Sequence, residues 1–362
     1  MIGRMIDSPR AGEAAGQNRE TARRPRKGKG GVTLRDVARI AGVAMITASR
    51  AINTPDRVSA ATLARVQAAV EETGYVPNLL AGGLASSRSR LVAAVVPTIV
   101  GPVFLETIQS LTESLAAAGY QLMLGQSGYD ASREDALLDA IIGRRPDGII
   151  LTGIMHSEQG RRRLLASGIP VVETWDLSPA PIDMLVGFSH EKIGGAVVDH
   201  LLARGRRRLA VLTGDDERAL RRKVGFVEAA RGRGLASDRL EGLPTGIVRA
   251  PTSLGSGRTG LTDLLARHPE IDAIFCSSDL LALGVLTQAQ AQGIPVPGRL
   301  AVVGFGDMAF ARDLEPALTS VRIDGTSIGR LAARLIIDRA EGRPVVDRVI
   351  DVGFSIVPRA ST

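Results

Sequence analysis

From Leu91 to the end of the chain, short apolar runs that do not alternate with polar residues keep returning, and no other feature limits the possible folds as strongly. Leu91–Val96, Gln121–Leu124, Asp147–Leu151 and Ile169–Val172 form a first set, with helical stretches near 103–118, 132–143 and 159–167. Arg208–Leu212, Ala273–Cys276 and Leu300–Phe305 repeat the theme. A strand with one wet face alternates, whereas a strand covered by helices on both faces does not. Residues 91–362 are therefore expected to form two doubly wound α/β lobes. The cleft outside the carboxyl ends of their strands is where ligands of this architecture bind.

The first ninety residues differ in charge. They hold 15 Lys and Arg against 7 Asp and Glu, while residues 91–362 hold 30 against 31. A basic excess confined to one end marks a part that meets a polyanion, joined to a part that does not. Residues 1–31 have almost no large apolar side chains and are expected to be a disordered basic tail. Its run from Arg23 to Lys29 either touches DNA phosphates nonspecifically or only solvates the chain. A small all-α unit is expected over 32–77, then a connecting segment over 78–90.

Within 32–77, Thr33 and Asp36 have the spacing of a capping pair. Leu34, Val37, Ala38 and Ile40 or Ala41 give an apolar helical face that Gly42 ends. A second short helix is expected from about Met45 to Ile52, leaving the tight turn that a helix-turn-helix requires. A third should start after Ser59 and stop before Gly74. Three such helices close a core only by packing on one another, which assigns a structural role to Leu34, Val37, Val43, Ala48, Ile52, Val58, Leu63, Val66 and Val70.

The segments 32–38, 41–43, 47–53, 57–59 and 74–78, five motifs in fixed order, resemble the DNA-binding headpiece of the lactose-repressor (LacI) family. The resemblance implies that Met45, Ile46 and Arg50 face base edges in the major groove. Arg50 suits guanine and the two apolar side chains suit thymine methyls. It implies phosphate contacts for Thr47, Ser49 and Asn53, and places Thr33, Ala44 and Asn78 in the DNA-facing set. Ala44 stands where the family usually has Ser or Thr, so the second helix lacks a capping hydroxyl worth about 1 kcal/mol. By composition, 78–90 is a flexible connection. By resemblance it is a hinge helix with Leu84 as a minor-groove wedge, made dependent on DNA by Gly82 and Gly83.

Residues 91–358 resemble the periplasmic-binding-protein-like core of the same family. Arg222 matches the arginine that holds a hydroxyl or carboxylate of the effector, the alternative being an arginine at an exposed helix start. Ser278 stands where the family often has Asn. Gly306, followed by Asp307, stands where sugar-binding members often have Asp. Segments 128–130, 147–152 with His156, 168–173, 186–188, 303–306 and 352–354 are most similar to gluconate-utilisation repressors. This implies a sugar acid such as gluconate as effector, with Phe104, Tyr129, Thr152, His156, Trp175, Arg222, Ser278 and Asp307 as candidate contacts.

Catalysis is not expected. There is no dinucleotide fingerprint, phosphate loop or nucleophile elbow, and the four histidines lack metal-like spacing. No metal or cofactor is expected. Met1–Arg10 lack the apolar stretch of a secretory signal, Cys276 has no disulfide partner, and no apolar run reaches the roughly 18 residues of a membrane span. The sequence thus predicts a cytoplasmic, DNA-binding repressor of sugar-acid catabolism that binds operator DNA and an effector as a homodimer, with tetramers open. A regulator answering to another sugar or sugar phosphate, a sugar-acid-binding protein and an enzyme are the alternatives.

Overall fold

The computed structural model describes residues 31–76, 88–99, 102–128, 131–153, 157–235 and 243–362. The expectations for residues 1–30 of the tail and for Asn78, Gly82, Gly83, Leu84, Tyr129 and His156 lie outside the described residues. The chain divides into two units, Met1–Ser86 and Ser87–Thr362.

In the first unit, local chemistry sets the helix ends. The N–H and Oγ1 of Thr33 both donate to Asp36 Oδ2, at 3.0 and 2.7 Å, opening α1 (Leu34–Ile40). These bonds hold the Asp36 carboxyl below its ordinary range. Gly42, at φ +61, supplies the left-handed residue that turns the chain towards α2 (Met45–Asn53). Ser59 Oγ accepts from the Thr62 N–H to start α3 (Ala60–Thr73), and Gly74 ends it at φ +63. The core is built largely from small side chains: Val37, Ala38, Ala41, Ala48, Ala51, Val66 and Ala69 are buried, with Leu34, Val43, Ile52, Val58, Leu63, Val70 and Tyr75 around them. The sequence reading placed Ala38 and Ala41 on an apolar helical face, but it did not name Ala51 or Tyr75. Alanines let short helices approach closely, a packing role that hydrophobicity alone does not signal.

The second unit contains two six-stranded sheets. The first runs in the order β11-β5-β4-β3-β1-β2, all parallel, from β1 (Leu91–Val96), β2 (Gln121–Gln126), β3 (Gly148–Thr152), β4 (Val171–Thr174), β5 (Met184–Gly187) and β11 (Val349–Asp351). The second runs β12-β10-β9-β8-β6-β7, from β6 (Leu209–Gly214), β7 (Thr245–Val248), β8 (Ala273–Cys276), β9 (Ala301–Phe305), β10 (Thr319–Arg322) and β12 (Ser355–Val357). Only β12 is antiparallel to its neighbour. Apart from the half-buried Leu91 that opens β1, these central strands are buried throughout, the condition that removes alternation from their sequences.

The lobes are not consecutive in sequence. The chain leaves the first sheet after Gly187, returns after Arg222's lobe is complete at β10, and leaves again after Asp351. The helix Gly325–Ala340 therefore packs against β3, β4 and β5 of the first sheet although it follows the last parallel strand of the second. A β11 of three residues with an exposed-intermediate-exposed pattern carries no strand signal of its own, so a division into a first and a second half misses these crossings. The helices His190–Ala203 and Glu217–Gly232 cross at paired glycines. A Cβ on Gly194 would collide with the Phe226 backbone, and one on Gly225 with the backbone of Glu191. That close crossing fixes the helix that supplies most of the site's charge.

Candidate functional site

Two sets of side chains are exposed to partners in different ways. On α2, Ala48 and Ala51 are buried, and the outer face presents Met45 at 53% exposure, Ile46 at 63% and an exposed Arg50. Thr47 and Ser49 are half-buried, and Asn53 Nδ2 donates to the Ser49 carbonyl at 3.0 Å and to its hydroxyl at 3.3 Å. Ala44 has the extended backbone of a helix cap and no side-chain hydrogen bond, while Thr33 is spent on Asp36. The result is a nine-residue helix with two apolar side chains and one guanidinium directed outward, able to read methyl groups and a base edge.

The second set surrounds a cavity of about 200 Å³ outside the carboxyl ends of both sheets. Trp175 follows β4, Asp216 follows β6, Ser277 and Ser278 follow β8, and Phe305 ends β9. From the helix Glu217–Gly232, capped by Asp216 Oδ1 accepting the Ala219 N–H at 3.1 Å, come Arg218 and Arg222. They are one turn apart and only 7% and 5% exposed. The structure thus places Arg222 inside a cavity rather than on an open helix start.

Arg222 sits in a built environment. Its Nη2 donates to the Ser277 carbonyl at 3.0 Å, and its guanidinium lies 3.8 Å from the centre of the Phe305 ring. Its Nη1 is 3.0 Å from His190 Nδ1. An arginine only donates, so Nδ1 carries no proton, and the ring's N–H is at Nε2, 3.0 Å from the Trp175 carbonyl. Burial, reinforced by Arg222 and Arg218, pushes the imidazole far below its ordinary pKa and keeps it neutral. Trp175 is buried at φ +68, its Nε1 donating to Thr107 Oγ1 at 3.1 Å and its ring meeting Phe104 edge-on at 4.9 Å. Ser278 Oγ caps the helix Asp279–Ala291 by accepting from the Leu281 N–H, and lies 2.8 Å from Thr252 Oγ1.

Of the expected effector contacts, Phe104, Trp175, Arg222 and Ser278 line this cavity. Thr152 and Asp307 do not. The Thr152 carbonyl accepts from Arg218 Nη1 at 3.3 Å, so its backbone, not its hydroxyl, takes part in this contact. Asp307 stands at φ +47, and its buried carboxylate pairs with Arg322 Nη2 at 2.5 Å and with Arg359 Nη1 at 2.7 Å. A buried carboxylate with two arginines to satisfy it is a structural group, and adjacency to Gly306 was not enough to place it in the site. The carboxylate nearest the missing family aspartate is that of Asp279, whose Oδ2 would lie 3.7 Å from a Cβ on Gly306. Burial pushes Asp279 up to about 6, and it accepts from Ser320 Oγ at 2.6 Å and the Met308 N–H at 2.7 Å. His190 and Arg218 were not foreseen. Their only advance signal was position, one at a helix start after an apolar strand and the other beside Arg222.

Comparisons with known proteins agree with this geometry. Residues 33–78 match the family described as bacterial regulatory proteins, lacI family, and residues 198–362 match the periplasmic binding protein-like domain. The HTH-type transcriptional regulator GntR of Pseudomonas aeruginosa is 38% identical over 331 residues, covering 91% of this chain and 95% of that protein. This chain belongs to the LacI family. The GntR regulator of Escherichia coli K12 is 31% identical over 329 residues, 91% of this chain and 98% of that one. A solved structure of a LacI-family transcriptional regulator from Silicibacter pomeroyi superposes with a TM-score of 0.85 at 33% identity, covering 91% of this chain and 99% of that one. This LacI-family chain is accordingly a DNA-binding transcriptional regulator that responds to a small-molecule effector. Among the described residues no helix is long and apolar enough to cross a membrane, and no group of His, Cys, Asp and Glu is arranged to hold a metal.

Proposed function

We propose that the effector is gluconate or a closely related sugar acid, and that the regulator is a cytoplasmic homodimer, without catalytic activity, repressing genes of sugar-acid catabolism until the effector releases it. Arg222 carries this reading. It is a buried guanidinium beside a neutral imidazole, on the wall of a cavity that also offers the hydroxyls of Thr252 and Ser278 and the rings of Trp175 and Phe104. A planar, permanently charged fork suits a carboxylate, and the hydroxyl and aromatic walls suit a polyhydroxy chain.

The proposed mechanism follows from the topology of the second unit. The helix Glu217–Gly232, packed on the second sheet, also reaches the first lobe through Arg218 to the Thr152 carbonyl and through Arg221 to Asp176 at 3.0 Å. A ligand held between the lobes stabilises their closed arrangement by its differential affinity for it, and that free energy is what shifts operator affinity. On the DNA side, Met45, Ile46 and Arg50 read bases while Thr47, Ser49 and Asn53 set register on the phosphates. Titrating gluconate into a complex of the full-length protein with its operator, followed by fluorescence anisotropy, tests the reading. Release is expected at gluconate concentrations that leave the complex intact when glucose replaces it. Failure of gluconate and related acids to change operator affinity would sink it.

A further inference from the structure

His190 makes one hydrogen bond from each ring nitrogen, and the two bonds run to different lobes. Its Nδ1 accepts from Arg222 Nη1 at 3.0 Å, and its Nε2 donates to the Trp175 carbonyl at 3.0 Å. Trp175 follows β4 of the first sheet, whereas Arg222 belongs to the helix packed on the second. His190 itself opens the helix that carries the chain from β5 to β6. Its side chain is buried, and its ring meets Phe188 edge-on with 4.8 Å between centres.

Both bonds act on groups that need a fixed direction. The Arg222 guanidinium is held at Nη1 by His190, at Nη2 by the Ser277 carbonyl and across its face by Phe305, which sets the plane in which it can meet a ligand. A fork held in this way has little rotamer freedom left to lose when the ligand arrives. Trp175, at φ +68, is a non-glycine residue in the left-handed region, a conformation that persists only where its surroundings hold it. Its N–H donates to the Val186 carbonyl, its indole Nε1 to Thr107 Oγ1, and its carbonyl accepts from His190. Only a neutral ring with its proton on Nε2 serves Arg222 and Trp175 together. Burial, and then the charges of Arg222, Arg218 and Arg221, favours that uncharged form.

We propose that His190 is a positioning residue of the effector cavity: its unprotonated Nδ1 orients the Arg222 guanidinium and its Nε2–H holds the Trp175 backbone, so that one side chain sets two walls contributed by different lobes. Both ring nitrogens are engaged, so His190 acts on the ligand through Arg222 and Trp175. This role rests on the effector occupying the cavity, as proposed above, and not on the effector being gluconate.

The two bonds can be cut separately. An Asn amide oxygen falls near the place of Nδ1 and a Gln amide nitrogen near that of Nε2, so His190→Asn keeps an acceptor for Arg222 and His190→Gln keeps a donor for Trp175. His190→Phe keeps a ring and loses both bonds. Trp175 lines the cavity and is the only tryptophan in the sequence, so its emission in the full-length protein reports its own setting and also occupancy. Without ligand, the Gln variant should keep the wild-type emission while the Asn and Phe variants shift it. Gluconate should bind the Asn variant within about fivefold of wild type, because only a neutral bond is lost, and the Gln and Phe variants weaker by on the order of 10-fold or more, because a charge-assisted one is lost. A merely structural histidine would instead order the affinities by melting temperature, measured on the same samples. Nitrogen NMR of histidine-labelled protein, with His190 assigned by its absence from the Phe variant, should show Nδ1 unprotonated and Nε2 protonated at neutral pH. If gluconate is silent while galactonate, 6-phosphogluconate or glucose binds and ranks the variants in the same order, the gluconate reading falls and the role of His190 stands. Equal affinities in the Asn and Phe variants, affinities that follow melting temperature, a proton on Nδ1, or silence from every compound would overturn it.

Discussion

The two units place their functional side chains on opposite sides of the burial divide. In the headpiece, Met45, Ile46 and Arg50 stand on the outside of a helix whose inner face is alanine. In the second unit, Arg218, Arg222 and His190 are at least nine-tenths buried and each is held by carbonyls, rings or one another. Exposed side chains contribute little to folding, so the proposed base readers can be exchanged at small structural cost. Buried charges exact a desolvation cost that the fold must offset, so their replacement disturbs neighbours as well as ligand.

The comparison can be broken at several points. The largest effect is expected from Arg222→Ala, which removes the better-supported buried cation and leaves His190 Nδ1 without its donor. Effector binding measured by isothermal titration should fall by roughly 2–5 kcal/mol. A loss below about 0.5 kcal/mol, the range of an ordinary surface change, would mean that Arg222 does not touch the ligand. Gly225→Ala comes next. Its methyl group meets the Glu191 backbone, so the two crossing helices must separate, with an expected destabilisation of about 1–3 kcal/mol in denaturant melts of the second unit. An unchanged midpoint would show that the helix crossing gives way freely.

Arg50→Ala tests the opposite side of the divide. It should leave the melting of the headpiece within about 0.5 kcal/mol of wild type while costing about 1–3 kcal/mol of discrimination at one base pair. An equal loss on operator and random DNA would reassign Arg50 to a phosphate. The smallest effect is a gain. Ala44→Ser restores a capping hydroxyl at a position with the right extended backbone and should stabilise the headpiece by about 1 kcal/mol. A neutral or negative result would show that the start of α2 is already satisfied.

How much of this was legible beforehand follows the range of the interactions. Thr33 with Asp36, Gly42, Ser59 and Gly74 could be read directly, because each acts on backbone within four residues of itself. The unalternating runs announced parallel strands for the same kind of reason, since burial on both faces is imprinted on every position. Arg222 could be named only through a family resemblance. Its neighbours Arg218 and His190 could not, because what makes them notable is contact with Thr152 and Trp175, 66 and 15 residues away in sequence. Asp307 shows the converse: sequence adjacency to Gly306 suggested the site, and arginines 15 and 52 positions further on hold its carboxylate.

By itself, then, the sequence determined the helix boundaries of the headpiece, the basic character of its end of the chain and the α/β nature of the rest, all set by local backbone chemistry and by periodicity. Only the tertiary structure decided the threefold exchange of chain between lobes, the neutral state of His190 and the gathering of Arg218 and Arg222 on one cavity wall. These depend on which distant groups meet in a space shielded from water, and electrostatic free energy there is fixed by partners rather than by residue type.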